Sequence, residues 1–437
     1  SSNSNNKKWD TYNSLFYVGE FNKFNKLSMN YTYSNYRDFV SNNTSQEMTY
    51  TREENGVNKK QYSRFYAEFD HVLSSKSNIQ FGYGNTWREL NNVYDISQTD
   101  IGSGERLTFS SNFRLTDMRH KLYSNFKWEV TKKVGMRVGI AAETSSPRIV
   151  GQQLNFMIYQ PLFDLKYNIS KKVNVKLKYR ATSDYPTIAQ TNPFVSQVNP
   201  RITSTGNPFL KPSTTHRLSI RVNILRGLVA FEPYIHYSNN VIAKIGDLGT
   251  DNVFDFRYEN VNAYQRLGGK INFRKYIKKN HILVKSSLEV FQATIESTSG
   301  MNHFADWKAD ADLLYITPKS GAVIGLKYQH EQSKRISGLG YNKGGVDFWM
   351  LLYKQPLFHK KASIMLGYML PITLGANYNQ DKHVATSGFS MQTDNDVSFI
   401  KNMFILEFSY RFSRGKKVKK EQKNIDQESE EGDGGLF

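Results

Sequence analysis

The sequence contains no cysteine among its 437 residues. That absence excludes disulfide bridges, thiolate metal sites and cysteine nucleophiles. No stretch approaches the roughly 18 consecutive apolar residues that a membrane-spanning helix needs. The first residues, SSNSNN, have neither the charged nor the apolar part of a signal peptide, so the location of the protein must be inferred from the body of the chain.

Motifs that carry catalysis or hold a cofactor are also missing. The nine histidines are scattered and form no HExxH pair, and no P-loop, Rossmann or GxSxG pattern lies between a strand and a helix. We therefore expect no enzymatic activity, no metal site and no cofactor.

The charge balance is strongly basic, with a formal net charge of +19. A nucleic-acid-binding protein would cluster this charge on one face, whereas the lysines here are dispersed among the ends of the predicted strands. We expect no nucleic acid as a partner, and we expect the phosphates of lipopolysaccharide or an acidic ligand as the counter-charge.

Aromatic residues are abundant in spite of this polarity. They make up 14% of the chain, yet its mean hydropathy is -0.58. Apolar and polar residues that alternate along strands explain both values, because averaging conceals a continuous apolar face. In residues 172 to 180, for example, Val173, Val175, Leu177 and Tyr179 alternate with Asn174, Lys176, Lys178 and Arg180.

The connections between the predicted strands alternate in length. Short polar turns are predicted near residues 21–25, 74–78, 131–135, 169–172, 225–227, 276–280, 317–321 and 357–361. Long polar connections are predicted between them, near 39–60, 91–116, 145–156, 182–213, 240–262, 293–306, 331–343 and 374–396. This alternation is typical of an outer-membrane β-barrel, which has tight periplasmic turns and large extracellular loops. A soluble β-sandwich gives no reason for it.

The pattern predicts an all-β fold, a transmembrane antiparallel barrel with about 17 strands in this chain. The first strand, about 9 to 20, begins on the side of the long loops, and SSNSNN is interpreted as the remainder of such a loop. Bacterial barrels usually have an even number of strands with both ends on the periplasmic side. We therefore expect an odd number of strands before Ser1, and about five would complete a barrel of about 22 strands with a plugged lumen.

The end of the chain forms a boundary of its own. In MFILEFSYRF, alternate residues through Tyr410 and Phe412 share an aromatic face that resembles the signal by which outer-membrane proteins are recognised for insertion. The basic and then acidic residues that follow have no apolar periodicity. We predict a barrel over residues 1–414 and a flexible periplasmic tail over residues 415–437.

One stretch, residues 179–222, resembles a region of TonB-dependent receptors. In that family an outgoing strand, a proline-rich loop, a GNPxLKPE-like element and a returning strand follow one another. The element is matched by Gly206, Asn207, Pro208, Leu210, Lys211 and Pro212. Ser213 stands where the family usually has Glu. The YSR at 62–64 and the YRF ending look like the Bacteroidetes-type subfamily.

The resemblance implies a transporter that imports a scarce or bulky ligand through a plugged lumen. The family's plug and TonB box precede the barrel, so we expect both upstream of this chain, with TonB as a partner through that segment. Ligand contacts are expected in the long loops and on the lumen wall. The residues chosen for this role are Arg180, Asp184, Tyr185, Asn207, Arg217 and Arg221. The three arginines favour an anionic ligand if they do more than solvate the interior.

Two other functions stay open at this point. The barrel could be a structural or assembly subunit of a larger outer-membrane complex, with a surface lipoprotein or other outer-membrane subunits as partners. It could also be a passive porin. A plug with a TonB box favours transport, whereas a plug without one favours the scaffold.

Overall fold

The computed structural model describes residues 2–46, 50–149, 151–199, 202–249, 253–277, 281–297, 300–337, 340–372, 379–385, 390–396 and 402–412. Within these ranges the chain forms 23 strands, the four-residue helix α1 (Ile188–Thr191) and a 3-10 turn, Leu225–Gly227. No helix in the described ranges is long and apolar enough to cross a membrane. The strands are β1 (Ser2–Glu20), β2 (Asn25–Gln46), β3 (Tyr50–Ser74), β4 (Ser77–Asp100), β5 (Arg106–Trp128), β6 (Val134–Ser145), β7 (Arg148–Ile149), β8 (Gln152–Gln153), β9 (Phe156–Asn168), β10 (Asn174–Asp184), β11 (Ser196–Asn199), β12 (Ile202–Thr205), β13 (Ser213–Ile224), β14 (Val229–Leu248), β15 (Phe254–Ile277), β16 (Ile282–Ser297), β17 (Gly300–Ile316), β18 (Val323–Ser337), β19 (Gly340–Leu357), β20 (Ala362–Leu370), β21 (Asn379–Ala385), β22 (Ser390–Asp396) and β23 (Phe404–Tyr410).

Neighbouring strands pair in antiparallel fashion over long registers. The β2–β3 ladder, for example, runs from Asn25 opposite His71 to Gln46 opposite Tyr50. Three short hairpins, β7–β8, β11–β12 and β21–β22, lie inside the long connections and account for six of the 23 described strands. The remaining seventeen form the up-and-down succession that the sequence predicts. Seven of the eight short turns lie where they are predicted, and most of the other, 276–280, lies outside the described residues.

Five expectations about the long connections are wrong, because the described residues of 39–60, 91–116, 240–262, 293–306 and 331–343 are mostly strand. In the first two, β2 and β3 stay paired to Gln46 and Tyr50, and β4 and β5 to Thr99 and Arg106. Residues 2–6 of SSNSNN likewise belong to β1 and pair with β2. The backbone hydrogen bonds of an antiparallel ladder do not depend on the polarity of the side chains, so pairing continues where the apolar alternation has ended.

Contacts divide the chain into two compact units. The first comprises Ser1–Leu165, Lys178–His216 and Asp255–Asn260, and the second comprises Lys166–Leu177, Arg217–Phe254 and Val261–Phe437. The predicted tail, residues 415–437, lies outside the described residues. The sites described below each lie within one unit.

The sheet has two chemically different faces. On one, which we call the apolar face, large hydrophobic side chains are exposed, among them Leu15 at 74%, Leu122 at 62% and Ile140 at 55% of their surface. The opposite polar face contains the charged and hydrogen-bonded residues of the same strands, such as Lys121 and Glu143. Side chains point alternately to opposite faces of a strand, so the alternation in the sequence separates these two faces.

Candidate functional site

The long connection between β10 and β13 is closed by backbone contacts of the GNP element. The Gly206 N–H donates to the Asn192 carbonyl at 2.9 Å, and the Asn207 N–H donates to the Gln190 carbonyl at 2.6 Å. A methyl group on Gly206 would overlap the Asn192 carbonyl oxygen. Glycine at this position therefore permits the close approach of two loop segments.

The second half of the element docks on the start of β15. The Asn260 amide pairs with the Lys211 backbone, accepting from its N–H at 2.8 Å and donating to its carbonyl at 2.9 Å. Leu210 is only 2% exposed and Pro212 is buried, whereas the Pro208 side chain is partly exposed. The element thus links the loop to a rigid strand through a side chain that mimics a backbone partner.

An apolar cavity lies beside this loop. It has a volume of about 220 Å³ and adjoins a small buried core made of Leu90, Phe113, Leu115 and Ile149. The cavity is lined by Ile149, Gln152, Leu154, Pro193, Pro208 and Phe209. The β7–β8 region and the proline-rich loop therefore share apolar packing.

A buried carboxylate organises the polar face of β4, β5 and β6. Asp117 is 1% exposed and accepts hydrogen bonds from Arg88 Nε at 3.2 Å, Arg119 Nε at 2.7 Å and Ser145 Oγ at 2.9 Å. Two cations and a hydroxyl thus compensate the buried charge, as the cost of desolvating it requires.

Tyr185, one of the residues chosen from the sequence, joins the loop to this network. The Arg119 guanidinium lies 3.6 Å from the centre of the Tyr185 ring, and the Tyr185 hydroxyl donates to Glu143 Oε1 at 2.7 Å. Lys121 forms an ion pair with the same carboxylate at 3.2 Å. We call this arrangement the Tyr185 latch, because one loop side chain engages both a cation and an anion of the strands.

A glutamine extends the latch to the next strands. Gln160 of β9 donates to Glu143 Oε2 at 3.2 Å and to Ser183 Oγ at 3.1 Å. Burial, followed in importance by the negative charge of Glu143, raises the pKa of Tyr185. The phenol therefore keeps its proton at neutral pH and can donate to Glu143.

The tip of the β4–β5 hairpin is stabilised differently. Asp100 accepts from the backbone N–H groups of Ser103 at 2.7 Å and Gly102 at 2.9 Å, and these bonds, with the Ser103 hydroxyl, hold the pKa of Asp100 below its usual value. Such a turn needs no contact with the rest of the sheet.

The other residues chosen from the sequence do not all meet in one place. Arg180 forms an ion pair with Asp164 at 3.1 Å, and Arg221 forms one with Glu232 at 3.0 Å. Asp184 and Arg217 are exposed. Of the six, Tyr185 alone belongs to the Asp117 network, and Asn207 acts through its backbone and by accepting from the Phe209 N–H at 2.9 Å.

The second unit has a polar cluster of its own, which the sequence did not reveal. Arg266 donates to Glu289 Oε1 at 2.6 Å, and its guanidinium lies 3.7 Å from the centre of the Phe291 ring. The Tyr234 hydroxyl also donates to Glu289, and the Tyr234 ring stacks on His236 with centroids 4.7 Å apart. This cluster covers the wall formed by β14, β15 and β16.

The sequence does not reveal the Asp117 network, because its pattern predicts a loop over residues 91–116 that ends beside these residues. The spacing of Asp117, Arg119 and Lys121 is the available signal, since alternate positions on a strand share a face. Their partners on β4, β6 and β9 are remote in sequence, and only the register of the strands brings them together.

The predicted insertion signal lies at the exposed end of β23. Tyr410 is 43% exposed and Phe412 is 89% exposed, and their rings lie 4.5 Å apart. Among the described residues, no group of three His, Asp or Glu side chains could hold a metal ion.

Comparison with known families agrees with this architecture. The sequence model of the outer membrane protein beta-barrel family matches residues 19–410. No curated protein sequence matches the chain.

Solved structures share the fold at low identity. The copper transporter OprC is 9% identical, with a TM-score of 0.61, over 94% of this chain and 72% of its own. The ferric citrate transporter FecA in its unliganded form is 11% identical, with a TM-score of 0.58, over 89% and 60%. BauA, the ferric preacinetobactin receptor from Acinetobacter baumannii, is 10% identical, with a TM-score of 0.57, over 93% and 63%. The chain thus spans 60% to 72% of the length of these three proteins.

Proposed function

This chain belongs to the outer membrane protein beta-barrel family and lies in the cell outer membrane, and on that premise we propose that it forms the barrel of a TonB-dependent transporter. The apolar face then contacts lipid and the polar face lines the lumen. TonB acts through a plug and a TonB box upstream of this chain. The YSR and YRF motifs support placing it in the Bacteroidetes-type subfamily.

The observation that carries the proposal is the Tyr185 latch. It connects a long loop, on the side where an external ligand arrives, to a charged network on the lumen wall. A ligand that displaces Tyr185 would leave Arg119 and Glu143 without one of their partners. Binding at the loop can therefore change the electrostatics of the wall that contacts the plug.

The exposed cations support an anionic ligand. The Arg180 side chain is 52% exposed and that of Arg221 is 37% exposed, so their ion pairs with Asp164 and Glu232 can exchange carboxylate for an incoming anion. The proteins of similar fold include a copper transporter, a ferric citrate transporter and a ferric preacinetobactin receptor. We therefore propose a scarce anionic metal chelate as the first ligand class to test.

The test uses the full-length protein in its own cells. Uptake of radioactive ferric citrate and of radioactive copper is compared between cells with and without the protein, in the presence and absence of a protonophore. Binding of the full-length protein to the purified periplasmic domain of TonB is measured in parallel. We expect TonB binding and a protein-dependent uptake that the protonophore abolishes.

The outcomes separate the alternatives. Absence of TonB binding together with uptake that is insensitive to the protonophore would leave a passive porin. Absence of TonB binding and of any uptake defect, with loss of other outer-membrane proteins from the deletion strain, would identify a structural or assembly subunit. Crosslinking in intact cells would show whether a surface lipoprotein or another outer-membrane subunit is its neighbour.

A further inference from the structure

Two cations face each other on the apolar face of the first unit. Arg37 of β2 is the direct register partner of Lys59 of β3, and both side chains are exposed. The side chains of directly opposed residues in an antiparallel pair lie within about 5.5 Å at Cβ, and like charges there are destabilising. An anion between them would remove that cost.

Among the described residues, no carboxylate forms an ion pair with Arg37 or Lys59. Glu89 of β4 lies on the same face, but it is engaged by Arg114 at 2.8 Å. Arg114 adds a third cation to this face. The local charge is therefore positive even after Glu89 is counted.

The depth of Arg37 and Lys59 in the membrane indicates which kind of anion neutralises them. A tilted strand crosses the hydrocarbon layer in about 9 to 11 residues. Residues 25–35 make that crossing on β2 and expose apolar groups such as Tyr31, opposite Phe65. Arg37 and Lys59 follow immediately, on the side of the long loops, which is the side of the outer leaflet.

An aromatic side chain marks the same level. Trp9 of β1 is the register partner of Arg37 and is 70% exposed. Tryptophan is enriched where acyl chains meet headgroups. An apolar strip that contains an aromatic residue and two opposed cations at the level of the headgroups matches a molecule with acyl chains and a phosphate headgroup better than it matches a free anion.

We propose that Arg37 and Lys59, with Trp9 beside them, form a binding site for a phosphate group of a lipid in the outer leaflet. This site rests on the membrane location of the chain and is independent of the transport proposal. A lipid held there would fix the height of β1–β3 in the membrane.

The test measures the binding of bisphosphorylated lipid A to the full-length protein in a phosphate-free detergent, with dephosphorylated lipid A as the comparison ligand. We expect R37Q/K59Q to bind the bisphosphorylated form about thirtyfold more weakly, since the loss of each of the two cations should weaken binding to an anionic lipid by about fivefold to sixfold. The control K23Q/K76Q removes the same charge from two short turns at the other rim and should bind as the wild type does.

Three results would overturn the proposal. These are wild-type affinity in R37Q/K59Q, equal affinity of the wild type for the two forms of lipid A, and full competition by inorganic phosphate at the concentration of the lipid. Heat-modifiable migration checks that the variants are folded. If R37Q/K59Q does not fold, the same affinity is measured for R37K/K59R and for the single variants R37Q and K59Q. The first should keep the wild-type affinity, and each single variant should bind the bisphosphorylated form more weakly.

Discussion

The ring of Tyr123 on β5 occupies the space above Gly82, its register partner on β4. Any side chain at Gly82 would overlap that ring. In this position the Tyr123 hydroxyl donates to Glu68, and the ring stacks on Tyr66 with centroids 6.2 Å apart. A glycine on one strand and a tyrosine on the next therefore build a compact aromatic joint on the polar face.

Replacement of Gly82 by alanine should destabilise the barrel. The added methyl group displaces the Tyr123 ring and breaks its hydrogen bond to Glu68, which predicts a loss of about 1 to 3 kcal/mol in the free energy of unfolding. Urea titration of the protein in lipid vesicles measures this value.

Gly84 provides the matched control on the same strand and face. A methyl group there would have ordinary contacts only, at 3.7 Å to Tyr66 and 3.9 Å to Lys121. Gly84→Ala should therefore unfold at nearly the wild-type urea concentration. Equal losses in both variants would refute the role assigned to the Tyr123 ring.

Replacement of Asp117 by asparagine should be among the most damaging single changes in the first unit. It leaves Arg88 and Arg119 without their shared buried anion, and breaking such a buried pair costs about 3 to 5 kcal/mol. The control is Asp164→Asn, which removes the partly buried partner of the exposed Arg180 and should cost about 1 kcal/mol or less. The measurement is the free energy of unfolding of each variant, compared with that of the wild type. Similar small losses in both variants would show that the Asp117 network is not stabilising.

The regular part of this molecule could be predicted from the sequence, because each feature is local. Turns such as residues 169–172 combine polar residues between two alternating stretches, and alternation alone assigns each side chain to a face. The extent of the strands could not be predicted, since β2 and β3 continue through polar residues that carry no alternation.

The site was harder to predict for a different reason. The family resemblance predicts a ligand-contact role for Tyr185 because this residue lies in a long loop. Its partners Arg119 and Glu143 meet it only through the strand order β5, β6, β9 and β10. A single sequence does not give the register between strands, so it cannot show which charges are neutralised by a neighbour.

Replacement of Gly206 by alanine should loosen the loop without affecting the strands. The methyl group would overlap the Asn192 carbonyl, so the two backbone bonds that close the loop, from Gly206 and Asn207, cannot keep their geometry. Limited proteolysis should cut residues 188–209 faster than in the wild type. Gly135→Ala, where a methyl group would meet no atom within 4 Å, is the control. An unchanged cleavage rate in Gly206→Ala would contradict the proposed closure.

The Tyr185 latch makes a graded prediction, because two different interactions converge on one side chain. Tyr185→Phe removes the hydrogen bond to Glu143 and keeps the ring beneath the Arg119 guanidinium, whereas Tyr185→Ala removes both. Amide hydrogen exchange in residues 186–199 should therefore increase moderately in the first variant and strongly in the second, by about fivefold and about thirtyfold, since each interaction contributes about 1 kcal/mol. Tyr179→Phe is the control, because it removes a comparable hydroxyl contact, to His216 at 2.9 Å, from the apolar face of β10, the strand that precedes Tyr185. Its exchange in residues 186–199 should match the wild type. Equal exchange in the phenylalanine and alanine variants would show that the cation contact contributes nothing, and wild-type exchange in both would show that the loop is held by the GNP element alone.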